Sequence, residues 1–152
     1  MGEFWKDHIL GAVEEQHAEL PPDVTMDQQL ALADRYRTVT LEEFPWIIDE
    51  LDGIAAGSGV DPLMIFALTL EEIWPDPQSP SQTEGRCSDL VVGPPATAGG
   101  RMLVAHNNDL HMDAEDYMLA VEISVPDEPV TFTIGGPPWL SVGFNDAGMS
   151  FT

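Results

Sequence analysis

A chain of 152 residues, 43% of them hydrophobic, is long enough to build one ordinary core and too apolar for wholesale disorder. Its 27 acidic and 5 basic residues give a formal net charge of −22, which repels phosphate backbones and anionic bilayers and so argues against nucleic acid or a membrane surface as a partner. The single cysteine excludes an intrachain disulfide and a cysteine-based zinc site.

The acid is not a tail: residues 1–86 carry a formal charge of −14 and residues 87–152 carry −8, counted along the sequence. Lys6 is the only lysine, and an acid-rich, lysine-poor surface suits a protein kept soluble in concentrated salt, where self-repulsion is screened. A halophilic source is therefore expected. The N-terminal stretch Met1-Gly2-Glu3-Phe4-Trp5-Lys6 has no continuous apolar run of the signal-peptide kind, and no segment approaches the roughly 20 apolar residues of a membrane-spanning helix. The expectation is a cytoplasmic protein.

In chain order, Phe4, Ile9, Leu10 and Val13 predict a short amphipathic helix over 4–19, stopped by Pro21-Pro22. Asp27 is placed to cap a second helix that runs to about Arg37. Phe44, Ile47, Ile48, Leu51, Ile54 and Ala55 then recur at the spacing of one buried helical face, with Thr40 and Glu43 as the capping box of that helix and Pro45 kinking its entry or pushing its start one residue later. Gly57-Ser58-Gly59 ends it. Asp61-Pro62 starts the next helix, Leu63 to Ile73, which is apolar on most sides.

Residues 75–86 hold three prolines and many turn formers and read as an exposed linker. After Cys87 the pattern changes to short strands: 90–92, 102–105, 117–125, 130–134, 140–144 and 149–152, separated by Gly, Pro, Asn and Asp turns. This predicts an α+β chain, helical first and then an antiparallel meander. Met149-Ser150-Phe151-Thr152 has no closing cap or polar tail, so the sheet reads as stopping in mid-fold.

Cys87 has two readings, a buried structural thiol or a nucleophile at the boundary of two segments. His106, Asp109, His111, Asp113, Glu115 and Asp116 are cation-capable, but the calcium-loop glycine and terminal glutamate are missing at the required offsets, so no metal site is expected. The four tryptophans, Trp5, Trp46, Trp74 and Trp139, read as core. Asn145 with Gly148 reads as a hairpin turn.

Four stretches in order carry a resemblance. Glu50 to Asp61 with Ile65-Phe66-Ala67-Leu68 and Glu71-Glu72, then Cys87-Ser88, then Gly100 to Asp109, then Gly143 to Met149, resemble the acyl-CoA:6-aminopenicillanate (isopenicillin N) acyltransferase family of autoproteolytic N-terminal nucleophile hydrolases. The resemblance implies part of an αββα sandwich. It also implies a helical pro-segment, 1–86, cut from the start of the catalytic sheet, 87–152, between Arg86 and Cys87. Cys87 would be the nucleophile, its freed α-amine the base, and Asp109 the residue that orients that amine.

Arg86 stands where the penicillin enzyme has glycine, His106 where relatives carry glutamine or arginine, and Asn108 where an aromatic residue is common. The family's oxyanion asparagines would fall after residue 152. No cofactor is implied, although an acyl-CoA can be co-substrate; the substrate would be a small-molecule amide or acyl-CoA. Two alternatives remain: a non-catalytic remnant or interaction module whose sheet is completed by a polypeptide carrying the missing second half, and a stand-alone acidic halophilic binding domain.

Overall fold

The computed structural model describes residues 1–18, 20, 22–70, 87–109, 114–136 and 138–152. The fold is mixed α+β: four helices precede antiparallel strands, and the chain divides into two compact units, one built on the helices and one on the strands. The expected linker at 75–86, Arg86 and the end of the fourth predicted helix lie outside the described residues, as do Trp74, His111 and Asp113.

The helices are α1 (Lys6–Ala18), α2 (Met26–Glu43), α3 (Pro45–Ser58) and α4 (Pro62–Leu68). The capping box sits elsewhere than expected. Thr25, not Asp27, caps α2: its Oγ1 accepts from the Gln28 backbone N–H at 3.3 Å, and its own N–H donates to Gln28 Oε1 at 2.8 Å. Thr40 and Glu43 instead lie inside α2, which runs to Glu43 because nothing before Pro45 interrupts its hydrogen bonds. Proline disfavours helical backbone at the residue before it, so the break falls at Phe44 (φ −137°, ψ 59°) and Pro45 becomes the first residue of α3.

Gly59, at φ 76°, adopts the left-handed conformation that ends α3, and its N–H donates to the Ala55 carbonyl. Asp61 then caps α4 through its Oδ1, which accepts from Leu63 N–H at 2.9 Å. The two helices meet across this turn at 114°. Together they are apolar enough to resemble a broken membrane span, and no single helix among the described residues is long and apolar enough to cross a bilayer.

The core of this unit is Trp5, Ile9, Ala33, Ile48, Leu51, Ile54 and Ala55 closed by the continuous run Met64–Leu68, all buried. Burial of each such aliphatic side chain contributes about 1.5–3 kcal/mol. The predicted stripe of α3 is right from Ile48 onward, but Phe44 and Ile47 are half-exposed, because the stripe that faces the core continues at Ser58 rather than at the first turn. Trp5 is buried as expected. Trp46 is 64% exposed, a correction to its reading as core, and packs edge-on against Phe44. Two close approaches tie the N-terminal turn down: a Cβ on Gly2 would run into the Ile54 carbonyl oxygen, and one on Gly57 would lie 2.7 Å from the Glu3 nitrogen. Arg37 spans α2 and α3 through one nitrogen, Nη2, which donates to both carboxylate oxygens of Asp52 at 2.7 and 2.9 Å.

The strands are β1 (Cys87–Val92), β2 (Leu103–Asn108), β3 (Leu119–Ile123), β4 (Thr131–Gly136), β5 (Trp139–Asn145) and β6 (Ser150–Phe151). The described strands do not form one meander. β1 and β2 make a two-stranded antiparallel hairpin and β3-β4-β5-β6 a four-stranded sheet. β1 begins at Cys87 rather than at the apolar Leu90, because backbone pairing with β2 continues through polar residues to Asn108. Tyr117 and Met118 precede β3 and follow a single 3₁₀ turn, Ala114–Asp116, instead of belonging to the strand.

Gly99 and Gly100, at φ 73° and 67°, supply left-handed backbone between β1 and β2. The Asn145–Gly148 turn forms as expected: Gly148 takes φ 87° and its N–H donates to the Asn145 carbonyl, while Asn145 Oδ1 accepts from Met149 N–H at 2.9 Å.

Candidate functional site

The β1–β2 ladder sets the site. Side chains alternate along a strand and residues paired across an antiparallel ladder share a face, so the register Cys87↔Asn108, Asp89↔His106 and Val91↔Val104 puts these six on one side of the hairpin. Ser88↔Asn107, Leu90↔Ala105 and Val92↔Leu103 take the other. The sequence Cys-x-Asp on β1 thus meets His-x-Asn on β2 as two successive polar rungs.

Each rung is closed by a side-chain bond. The exposed Cys87 thiol donates to Asn108 Oδ1 at 3.4 Å. His106 Nδ1 lies 2.8 Å from Asp89 Oδ1, with the imidazole half-buried and the carboxylate half-exposed. A carboxylate only accepts, so Nδ1 carries the hydrogen and Nε2 is left for a second partner. The bond from His106, and after it the Thr152 hydroxyl, hold the Asp89 carboxyl below its ordinary value, slightly opposed by burial. Asp89 therefore stays ionised and keeps the imidazole in one tautomer and one orientation.

Asp109, just past the end of β2, accepts from Asn107 Nδ2 at 2.8 Å through its Oδ1. Asn107 belongs to the face of the hairpin opposite Cys87. Of the expected pair, the hydrogen bonds give Cys87 to Asn108 and Asp109 to Asn107, and no side-chain bond joins Cys87 to Asp109 among the described residues. The bond from Arg86 to Cys87 lies outside the described residues on its Arg86 side.

Sequence reading missed Asp89 as a site residue and saw Asn108 only as an odd substitution. The signal is two polar pairs at i, i+2, each beside a short apolar run, but it becomes a cluster only once the register is known. Among the described residues no group of three or more His, Cys, Asp and Glu side chains is arranged to hold a metal ion. Comparison with protein-family models, curated proteins and solved structures finds no match to this chain.

Chemically, the face offers an accessible thiol, an amide oxygen that accepts a hydrogen bond from it, and an imidazole anchored by a carboxylate. Thiol, acceptor and oriented imidazole are the parts of nucleophilic acyl transfer.

Proposed function

We propose that the chain is a cysteine N-terminal nucleophile acyltransferase or amidohydrolase precursor that cuts itself between Arg86 and Cys87. Residues 1–86 form the pro-segment, and residues 87–152 begin the catalytic sheet of an αββα sandwich. The observation that carries the reading is the placement of the only cysteine as the first residue of β1, exposed, with its thiol bonded to a side chain of the neighbouring strand. A nucleophile at the start of a sheet strand has a rigid support and an open approach. After cleavage Cys87 supplies the thiol, its new α-amine is the base, and Asp109 orients that amine. The substrate class is a linear amide, with an acyl-CoA as optional co-substrate.

The test is intact-mass spectrometry of the purified chain. Two species that divide at Arg86/Cys87, with Cys87→Ala leaving one uncut species, are expected. A wild-type chain that stays at full mass removes self-processing.

A second reading is favoured by one observation: Phe132, Ile134 and Phe144 stand exposed on one side of β4 and β5, with the rings of Phe132 and Phe144 stacked at 6.0 Å. An apolar sheet face of this kind is what a polypeptide carrying a second half of the sandwich would cover. In that reading the chain is an interaction module, and activity requires the partner.

A further inference from the structure

We propose that His106, anchored by Asp89, takes the thiol proton of Cys87 in the uncut chain and returns it to the leaving nitrogen. The inference rests on the self-processing reading and adds the base for its first step. That step has a gap which the cysteine cannot fill alone. Before cleavage the nitrogen of Cys87 is an amide, without a basic lone pair, so the α-amine that serves later does not yet exist. Another group must receive the proton.

The ladder supplies one. His106 is the diagonal neighbour of Cys87 on the same face: Cys87 pairs with Asn108, and His106 lies two residues back along β2. Diagonal neighbours sit about 7–8 Å apart at their Cα atoms, closer at Cβ, which long and aromatic side chains span. Nδ1 is committed to Asp89 at 2.8 Å, so the ring offers Nε2. Asn108 Oδ1 holds the thiol on this face at 3.4 Å. Imidazole is the side chain that ordinarily gains and loses a proton near neutral pH. Asp89 is bonded to His106 and Cys87 lies diagonal to it on β1, the Thr152 hydroxyl bonds Asp89, and Asp109 is bonded to Asn107. His106 is therefore the catalytic residue of the step and Asp89 its positioning residue.

The step balances without a co-reactant other than water. The Sγ–H proton passes to Nε2, and sulfur attacks the Arg86 carbonyl carbon. The C–N bond breaks as Nε2 returns the proton to the Cys87 nitrogen, leaving a thioester and a free amine. Water then adds to the thioester carbon, and the products are the Arg86 carboxylate and the regenerated thiol.

The experiment uses the full chain and two readouts. The first is the rate of Cys87 alkylation by iodoacetamide, followed by mass on the uncut species of each chain, between pH 6 and 9.5. If His106 shares the thiol proton, His106→Gln slows alkylation at pH 7 about five- to tenfold and leaves the rate at pH 9.5 unchanged, where hydroxide removes the proton instead. Asp89→Asn, which keeps the shape of the rung, acts in the same direction by about threefold. A purely structural role would shift the rate at both ends of the range. Equal wild-type and variant rates at pH 7 overturn the proposal.

The second readout is self-cleavage. His106→Gln slows it about 10²–10⁴-fold, the usual contribution of a general base, and added imidazole restores part of the rate. A chain that alkylates in a His106-dependent way but never cleaves overturns the self-processing reading and leaves the proton transfer standing. Cleavage at the wild-type rate in both variants overturns the role of His106.

Discussion

The helical unit and the strand unit solve the same problem to different degrees. In the first, every aliphatic residue from Met64 to Leu68 is buried, and the N-terminal turn lies so close to α3 that Gly2 and Gly57 have no room for a Cβ. In the second, Leu90, Val91, Leu103, Phe132, Ile134 and Phe144 remain 41–63% exposed. Backbone pairing alone makes strands, because each ladder satisfies its own N–H and C=O groups; it does not bury their side chains. The difference teaches that the helices carry the apolar stability, while the hairpin that bears Cys87 owes its form to pairing and to its two polar rungs.

That comparison breaks most sharply in the core. Ile65→Ala, at a fully buried position, is expected to lower the unfolding free energy by about 2–5 kcal/mol in urea denaturation followed by far-UV circular dichroism. Phe144→Ser, at a position 60% exposed, should change it by less than about 0.5 kcal/mol. If Phe144→Ser costs as much as Ile65→Ala, the strand unit has a buried face after all and the contrast fails.

A smaller effect sharpens the helical side. Thr25→Ala removes the side-chain half of the capping box and should cost about 1 kcal/mol by the same measurement, with Asp27→Ala costing less. The reverse order would return the cap to Asp27, the residue that sequence reading chose.

The smallest effect lies on the strand side and depends on pH. The carboxyl of Asp89 is held below its ordinary value of 3.8, so its bond to His106 favours the folded chain above that value and is lost as pH falls through the lowered one. Below about pH 4 the wild-type chain should therefore lose stability more steeply than Asp89→Asn, with the two curves running parallel between pH 5 and 6. Identical acid limbs would mean that the rung is too exposed to matter, as for many surface pairs.

The same contrast explains what was legible. The α3–turn–α4 unit could be read because Ile48, Leu51 and Ile54 repeat with the helical period and Gly59, Asp61 and Pro62 punctuate them, all of it local information. The Asn145–Gly148 turn is local in the same way. The capping box falls elsewhere than expected because two Thr-x-x-Glu/Gln patterns lie between residues 25 and 43, and only the uninterrupted hydrogen bonding of α2 through Thr40 decides between them. Trp46 is exposed where the sequence suggests core, since composition says nothing of which side of a first turn faces inward.

For the site, the sequence by itself determined the residue types and their order: one thiol at a compositional boundary, a strand pattern after it, and a downstream run of His106, Asn107, Asn108 and Asp109. Only the tertiary structure decided the partners. A shift of one residue in strand register turns every side chain to the other face, so Cys87 meets Asn108 and Asp89 meets His106 solely because β1 and β2 pair as they do. Register is a property of two segments eleven or more residues apart, and no local preference encodes it.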